Sequence, residues 1–315
     1  MKTMFSLVCE VAAVLLFASC QATTDPKPTT GTLKVRAYSE SYTDPTTISA
    51  SSPIDAILTV TQPDGSSKTM VTDHLGYLEI GTATPGTYTI QPRYLGSSTS
   101  QSFVVTAGQT TTGTMLIPQM GIEYYLLNPA KAPTNTKTTR LALAQAISRA
   151  AILSSVSSSA TVAYSTISPL LSGTGFSSAH ALTEAPGQNL SGVTLEILFN
   201  TNAAHQTRAT MVQTQWQSAG AAVTTTPLVW ATFVTTRDTD HNFQVARGGW
   251  GFDSNNPLSF YTAQTFLSGD TAYQALLTQA AADLAALSMT AFDSDIVALN
   301  DYLIDNALIL PVNYT

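Results

Sequence analysis

The stretch that decides the fold of this chain is Gly248-Gly249-Trp250-Gly251-Phe252-Asp253-Ser254-Asn255-Asn256-Pro257-Leu258-Ser259-Phe260. The apolar residues 243–246 before it predict a short buried strand. The glycines, the Asp-Ser-Asn-Asn cluster and the proline that follow predict a loop. An aromatic ring, Trp250, and a lone carboxylate, Asp253, are therefore expected where a strand ends, which is where α/β sheets usually bind ligands.

Outward from this stretch, the chain predicts alternating strands and helices. Residues 193–199 predict a strand, residues 204–219 a helix and residues 221–225 a second strand. Two strands joined in this way run parallel, with a right-handed crossover. Residues 229–237 predict a short helix that carries Trp230. This half of the chain is therefore predicted to be α/β.

The same alternation continues to both ends of this half. It predicts a strand at 124–128, a helix from 133 to about 152, helices at 271–287 and 294–306, and a closing strand at 307–312. We place Arg140 and Arg149 on the polar face of the 133–152 helix, and interpret Asp283 and Asp293 as solvated helix-face or cap residues.

The pattern Gly-Trp-x-x-Asp-x-x-x-Pro-x-x-Phe at 249–260 resembles the ligand loop of the extracellular solute-binding proteins of family 5, the dipeptide- and oligopeptide-binding proteins of ABC importers. The Tyr-x-x-x-Asn strand at 124–128 and the helix after it resemble the beginning of that family's C-terminal lobe. The resemblance implies that Asp253 pairs with the α-amino group of a bound peptide. The ligand-binding residues that it implies are Trp250, Asp253, Gly249, Gly251 and Asn256. The glycines at 248, 249 and 251 are expected to leave room for another backbone.

Residues 119–315 match only the C-terminal lobe of that family, whose members close two lobes around a peptide. Two hypotheses about function stay open. One is a binding protein for peptides or a similar small solute in ABC-type uptake, partnered by an ABC permease or by a second lobe from another chain. The other is a structural or interaction lipoprotein that kept the fold of the lobe and lost its ligand.

Residues 32–118 alternate apolar and polar side chains between Gly- and Pro-rich turns, which predicts an all-β sandwich. The sequences Thr-Asp-His-Leu-Gly-Tyr at 72–77 and Pro-Gly-Thr-Tyr at 85–88 resemble the carboxypeptidase regulatory-like (transthyretin-like) domain. The expected architecture is therefore two-domain: a transthyretin-like β-sandwich, then an α/β periplasmic-binding-protein-like lobe, with few contacts across the joint near Pro118.

The N-terminus has the layout of a signal peptide. Lys2 precedes an apolar run at 4–17, and small residues lead to Cys20. Residues 16–20 resemble a bacterial lipobox, in which Cys20 is lipidated, while a plain secretory signal cut near Ser19 is the alternative. Residues 1–20 are thus predicted to be a lipoprotein signal and the Thr- and Pro-rich residues 21–31 a tether. The implied location is the cell envelope, lipid-anchored outside the cytoplasmic membrane or in the periplasm or outer membrane.

Composition argues against several classes of function. A formal charge of −7 leaves no basic face for nucleic acid. The only two cysteines, Cys9 and Cys20, lie in the leader, which argues against a disulfide framework or a thiolate metal site in the body. His180, His205 and His241 lack metal-ligand spacing, and no hydrolase, metalloprotease or nucleotide-binding motif is present. We expect a protein that is not an enzyme and uses no cofactor and no metal.

Overall fold

The computed structural model of the protein describes residues 27–39, 55–94, 99–117, 121–156, 160–168, 171, 176–251 and 255–314. The predicted signal peptide, with Cys20, and Asp253 of the predicted ligand loop lie outside these ranges. Within them, no helix is long and apolar enough to cross a membrane.

Residues 31–117, called here the β part, form two sheets. Their strands are β1 Gly31–Ser39, β2 Ile57–Thr61, β3 Ser67–Val71, β4 Tyr77–Ala83, β5 Gly86–Pro92, β6 Gln101–Val105 and β7 Thr110–Ile117. One sheet has the order β4-β1-β7 and the other β3-β2-β5-β6. Alternate side chains of these strands, among them Leu33, Val35, Leu58 and Val60, share one apolar core.

Residues 121–314, called here the lobe, form a mixed six-stranded sheet with the order β11-β10-β12-β8-β13-β9. The strands are β8 Gly121–Leu127, β9 Thr161–Val162, β10 Thr194–Asn200, β11 Ala222–Leu228, β12 Val245–Gly251 and β13 Ile309–Tyr314. The helices are α1 Lys137–Gln145, α2 Arg149–Ser154, α3 Ala203–Ser218, α4 Trp230–Val234, α5 Leu258–Thr262, α6 Thr271–Ala285 and α7 Met289–Asp305. β10 runs parallel to β11 and β12, whereas β8 runs antiparallel to β12 and β13.

The lobe has an apolar core on each face of its sheet. Successive residues of β8 point to opposite faces, so Tyr125 and Leu127 pack with α1, α2 and α3, whereas Tyr124 and Leu126 pack with α4 to α7. Trp216 of α3 is fully buried, and its indole N–H donates to the carbonyl of Leu143 in α1 at 2.9 Å. Covering both faces with helices produces the α/β layering predicted from the sequence.

The helix predicted from residue 133 to 152 is two helices, α1 and α2, separated at residues 146–148. Placing Arg140 and Arg149 on its polar face was wrong, because these side chains are only 5% and 0% exposed. Arg140 Nε donates to the carbonyl of Asn306 and Arg149 Nε to that of Pro311, each at 2.8 Å. Both arginines thus donate to main-chain carbonyls far away in the sequence, and burial lowers the pKa of Arg149.

The β part and the lobe make extensive contacts, contrary to the expectation of a loose joint. Asp293 of α7, expected to be solvated, is 9% exposed and accepts hydrogen bonds from Arg93 Nη2 at 3.0 Å and Tyr94 Oη at 2.7 Å. Ile57 and Tyr94 belong to the same apolar core as Phe292 of α7. The two parts are therefore held together by an ion pair, by hydrogen bonds and by a shared core.

Two carboxylates face each other between α6 and α7, and they make stability depend on pH. Burial, followed by the neighbouring carboxyl group of Asp283, raises the pKa of Asp295 to about 6, above its ordinary value of 3.8. The folded protein therefore holds this proton more tightly than the unfolded chain, and the stabilisation from it is lost as pH rises from about 4 to about 6. We expect Asp295→Asn to be less sensitive than wild type to pH in this window, as measured by urea unfolding. Parallel pH profiles for the two proteins would contradict this.

Candidate functional site

A crevice lies where the carboxyl ends of β10 and β12 meet. β10 leads through α3 to β11 on one side, whereas the chain returns from β11 to β12 on the other side of β10. After β12 the chain continues to α5, which packs on the opposite face from α3. Such a reversal of strand order leaves a crevice at the carboxyl ends, and α/β sheets commonly bind ligands there.

The predicted loop is strand for its first four residues. β12 extends to Gly251 and pairs with β8 from Val245, opposite Leu127, to Gly251, opposite Gly121. A Cβ added at Gly248 would overlap the ring of Tyr124, which packs edge-on against Phe260 at 5.4 Å. The described glycines at 248 and 249 therefore make room for neighbouring side chains, whereas the approach of a ligand backbone to them stays a prediction.

On the α4–α7 face of the crevice, Trp250 lines a cavity of about 380 Å³. Four aromatic side chains contribute to its walls, namely Tyr124, Trp230, Trp250 and Phe266. Trp230 is 59% exposed. The Nε1–H of Trp250 is buried and has no acceptor among the described residues. The cavity thus has a flat aromatic wall, and the unpaired indole N–H belongs to a residue of that wall.

The charged groups of this cavity are already paired. Arg237 donates from Nε and Nη2 to the carboxylate of Asp238 at 2.5 and 2.7 Å, and its guanidinium lies 4.9 Å from the Phe233 ring centre. Gln264, which is 3% exposed, donates to the carbonyl of Phe260 at 2.7 Å. A ligand in this cavity would therefore contact mainly apolar surface and the ring of Trp250.

On the α3 face of the same crevice lies a group of polar and charged side chains. Arg247 donates from Nε to Glu123 Oε2 at 3.0 Å and from Nη2 to Glu123 Oε1, and its Nη1 is 3.4 Å from Asn200 Oδ1. The bidentate geometry neutralises Arg247 within the protein. Arg247, the basic residue that precedes Asp253 in the sequence, is thus bound to Glu123.

Three buried polar atoms beside this ion pair have no partner among the described residues: Tyr125 Oη, Arg208 Nε and His205 Nδ1. Burial, and then the charge of Arg247, lower the pKa of His205. Burial, and then the charge of Glu123, raise the pKa of Tyr125. Buried polar groups are normally satisfied, so three unpaired atoms beside one ion pair make this group a candidate for ligand recognition. Sequence analysis missed it, although Glu123 and Tyr125 are two apart on β8 and His205 and Arg208 three apart on α3, which places each pair on one face.

The residues predicted for the site fall in different places. Gly249 and Trp250 line the cavity, and Gly251 ends β12. Asn256 accepts from the backbone N–H of Leu258 at 3.1 Å at the start of α5 and lines a separate groove of about 520 Å³ between the β part and α6. In the described ranges, no group of three or more His, Cys, Asp or Glu side chains is placed to hold a metal ion. The role of the predicted site residues in ligand binding stays a prediction.

Comparisons with known proteins show that this chain is similar to bacterial solute-binding proteins. The model of the bacterial extracellular solute-binding proteins, family 5, middle part, matches residues 94–272. The periplasmic murein peptide-binding protein MppA of Escherichia coli is 29% identical over 220 residues, which cover 62% of this chain and 40% of MppA. The periplasmic oligopeptide-binding protein OppA of Salmonella typhimurium is 31% identical over 160 residues, 45% of this chain and 29% of OppA. The chain thus spans less than half the length of either relative.

Solved structures show the same fold. The unliganded open form of MppA has a TM-score of 0.53 over 81% of this chain and 59% of that chain, at 19% identity. The crystal structure of a peptide-binding protein of a peptide ABC transporter has a TM-score of 0.54 over 62% of this chain and 99% of that chain, at 16% identity. The α/β lobe predicted from the sequence is thereby confirmed, while the transthyretin-like identity of residues 32–118 stays a prediction.

Proposed function

This chain belongs to the bacterial extracellular solute-binding proteins of family 5, and from that premise we propose that it binds peptides, or a similar small solute, for ABC-type uptake. The observation that carries the proposal is the crevice at the ends of β10 and β12. One side of it has an aromatic cavity with the unpaired Trp250 N–H, and the other has the unpaired donors of Arg208 and Tyr125. An extended zwitterion with an apolar side chain matches this arrangement.

Each part of a peptide has a counterpart at the crevice. An apolar side chain fits the cavity between Trp230 and Trp250, and a peptide carbonyl accepts from Trp250 Nε1–H. Asp253, by family resemblance, pairs with the α-amino group. The carboxylate accepts charge-assisted hydrogen bonds from Arg208 and Tyr125.

The crevice of the lobe alone is open to water, which limits affinity. An exposed ion pair contributes only about 0–1 kcal/mol. We therefore expect a dissociation constant near the millimolar range, which corresponds to about 4 kcal/mol. A second lobe from another chain, or an ABC permease, would exclude water and strengthen the same contacts, so these are the partners that we propose.

The proposal is tested by calorimetric titration of the protein with the tripeptide Ala-Phe-Ala. We expect binding that weakens at least about tenfold, or about 1.4 kcal/mol, in Trp250→Ala, because the cavity loses its aromatic wall and its donor. The same peptide with an acetylated N-terminus and an amidated C-terminus should also bind more weakly. Equal heats for free and blocked peptide in wild type would rule out recognition of the peptide termini. No binding at several millimolar peptide would leave only the structural or interaction lipoprotein that we hold as the alternative.

We also propose that the protein is a lipoprotein of the cell envelope, anchored through Cys20, whose β part is a transthyretin-like module. Support comes from the lipobox-like residues 16–20 and from the extracellular relatives. A fatty-acid probe should label cells that express wild type and not those that express Cys20→Ala. Equal labelling would rule out this anchor.

A further inference from the structure

Asn255 of the lobe, just after the end of β12, forms hydrogen bonds with the β part. This residue is 0% exposed. Its Oδ1 accepts from the backbone N–H of Ile57 at 3.1 Å, and its Nδ2 donates to the carbonyl of Ile57 at 3.1 Å. Ile57 is the first residue of β2, and its side chain packs in the core of the lobe. The amide of Asn255 therefore pairs with β2 much as a neighbouring strand does.

Two independent demands select asparagine at this position. A primary amide offers one donor and one acceptor side by side, whereas a carboxylate has no donor and an aliphatic side chain has neither. The backbone φ of Asn255 is +52°, in the left-handed region that asparagine and glycine adopt most readily. The side chain and the backbone thus fix Asn255 in one place against the β part.

This anchor lies close to Trp250 along the chain. β12 ends at Gly251, four residues before Asn255, and four residues span at most about 14 Å. On the other side of the anchor, Asn256 accepts from Leu258 N–H at the start of α5. Asn255 therefore joins the chain just after β12, the strand that carries Trp250, to β2 of the β part.

We propose that Asn255 is a positioning residue for ligand binding, by which the β part sets the orientation of Trp250 at the cavity. The proposal rests on the proposed function for its consequence in affinity, but its geometric claim is independent of any ligand. The β part then contributes to the geometry of the site itself.

The geometric claim is tested in the full chain with 5-fluorotryptophan and ¹⁹F NMR. The chain has 3 tryptophans, so three resonances are expected, and Trp250→Phe identifies one of them. Asn255→Gly keeps the left-handed backbone accessible and removes only the amide. We expect it to shift or broaden the Trp250 resonance, while that of the buried Trp216 stays in place.

The matched control is Asp293→Asn, which weakens a different polar contact between the β part and the lobe, at α7. It should lower stability and leave the Trp250 resonance unchanged. If Asn255→Gly does not fold, Asn255→Asp, which keeps the acceptor for Ile57 N–H and loses the donor, takes its place. An unchanged Trp250 resonance in the folded variant, or the same change in Asp293→Asn, would overturn the proposal.

Measuring peptide affinity distinguishes failure of this proposal from failure of the proposed function. With Ala-Phe-Ala, at a temperature where all variants are folded, we expect Asn255→Gly to bind at least about tenfold more weakly than wild type and Asp293→Asn to bind equally. Wild type that binds no peptide, with a shifted Trp250 resonance in Asn255→Gly, would refute the proposed function and leave the positioning role standing. Equal affinity of wild type and Asn255→Gly would refute the positioning role alone.

Discussion

Replacing Asp293 with alanine should lower the free energy of unfolding by more than any other substitution considered above. The carboxylate accepts from both Arg93 and Tyr94 Oη and Asp293 is 9% exposed, so its removal takes the ion-pair partner from Arg93 and one acceptor from Tyr94. Breaking a buried ion pair costs about 3–5 kcal/mol. Because 26% of the Arg93 side chain is exposed and water reaches it, we expect about 2–4 kcal/mol, measured by urea unfolding.

The neighbouring exposed residue provides the control. Ser294→Ala removes only a hydroxyl that donates to the carbonyl of Thr290 within α7, and should change stability by less than about 0.5 kcal/mol. Tyr94→Phe combined with Asp293→Ala should cost less than the sum of the two single changes, because they share one hydrogen bond. A loss below about 1 kcal/mol for Asp293→Ala would show that this contact does little to hold the β part on the lobe.

Gly248→Ala should destabilise the lobe by about 1–3 kcal/mol, the usual cost of forcing an extra group into a packed core. The added Cβ would overlap the Tyr124 ring, which is 5% exposed and packs edge-on against Phe260. Gly248 is paired with Tyr124 itself in the β8 ladder, and β10 pairs with β12 up to Ala246, so the backbone has little room to move away. Thermal or urea unfolding measures the loss.

Gly269→Ala is the matched control, because a Cβ at Gly269 meets nothing within 4 Å. Its stability should stay within about 0.5 kcal/mol of wild type. Tyr124→Leu should restore part of the stability of Gly248→Ala, since the branched side chain is shorter than the ring. If Gly248→Ala is as stable as wild type, packing is not the reason for glycine here.

Local patterns predicted much of the lobe. The parallel pair β10 and β11, the helix α3 between them and the two C-terminal helices follow from periodicity within short windows. Boundaries were less certain for a physical reason. The sequence predicts a helix at 294–306, but α7 begins at Met289, because Met289 and Phe292 are buried in the core.

Contacts between distant residues could not be predicted from one sequence. The partners of Asp293 are about 200 residues away, and the carbonyl that Arg149 satisfies is 162 residues away. Charged residues therefore appeared to belong on solvated faces, where they usually lie. Gly248 was likewise interpreted through its backbone freedom, although the ring that it accommodates belongs to the neighbouring strand.

The site was predictable to the extent that it is encoded in one continuous motif. Trp250 was found from the Gly-Trp stretch, and the structure places it on the wall of a cavity. Tyr125, His205 and Arg208 come from a strand and a helix far apart in the sequence, and only the order of strands brings them to the same crevice. Asn255 belongs to the motif, but its partner Ile57 lies in the β part.

The most direct test of peptide binding at the crevice is an NMR titration of the isotope-labelled protein with Ala-Phe-Ala. We expect shifts centred on the indole N–H of Trp250, with others at Trp230, at the side-chain amide of Gln264 and at Arg208, all around the ends of β10 and β12. These shifts should be lost in Trp250→Ala. No shifts at several millimolar peptide, or shifts confined to the separate groove beside Leu284, would contradict a peptide site at this crevice.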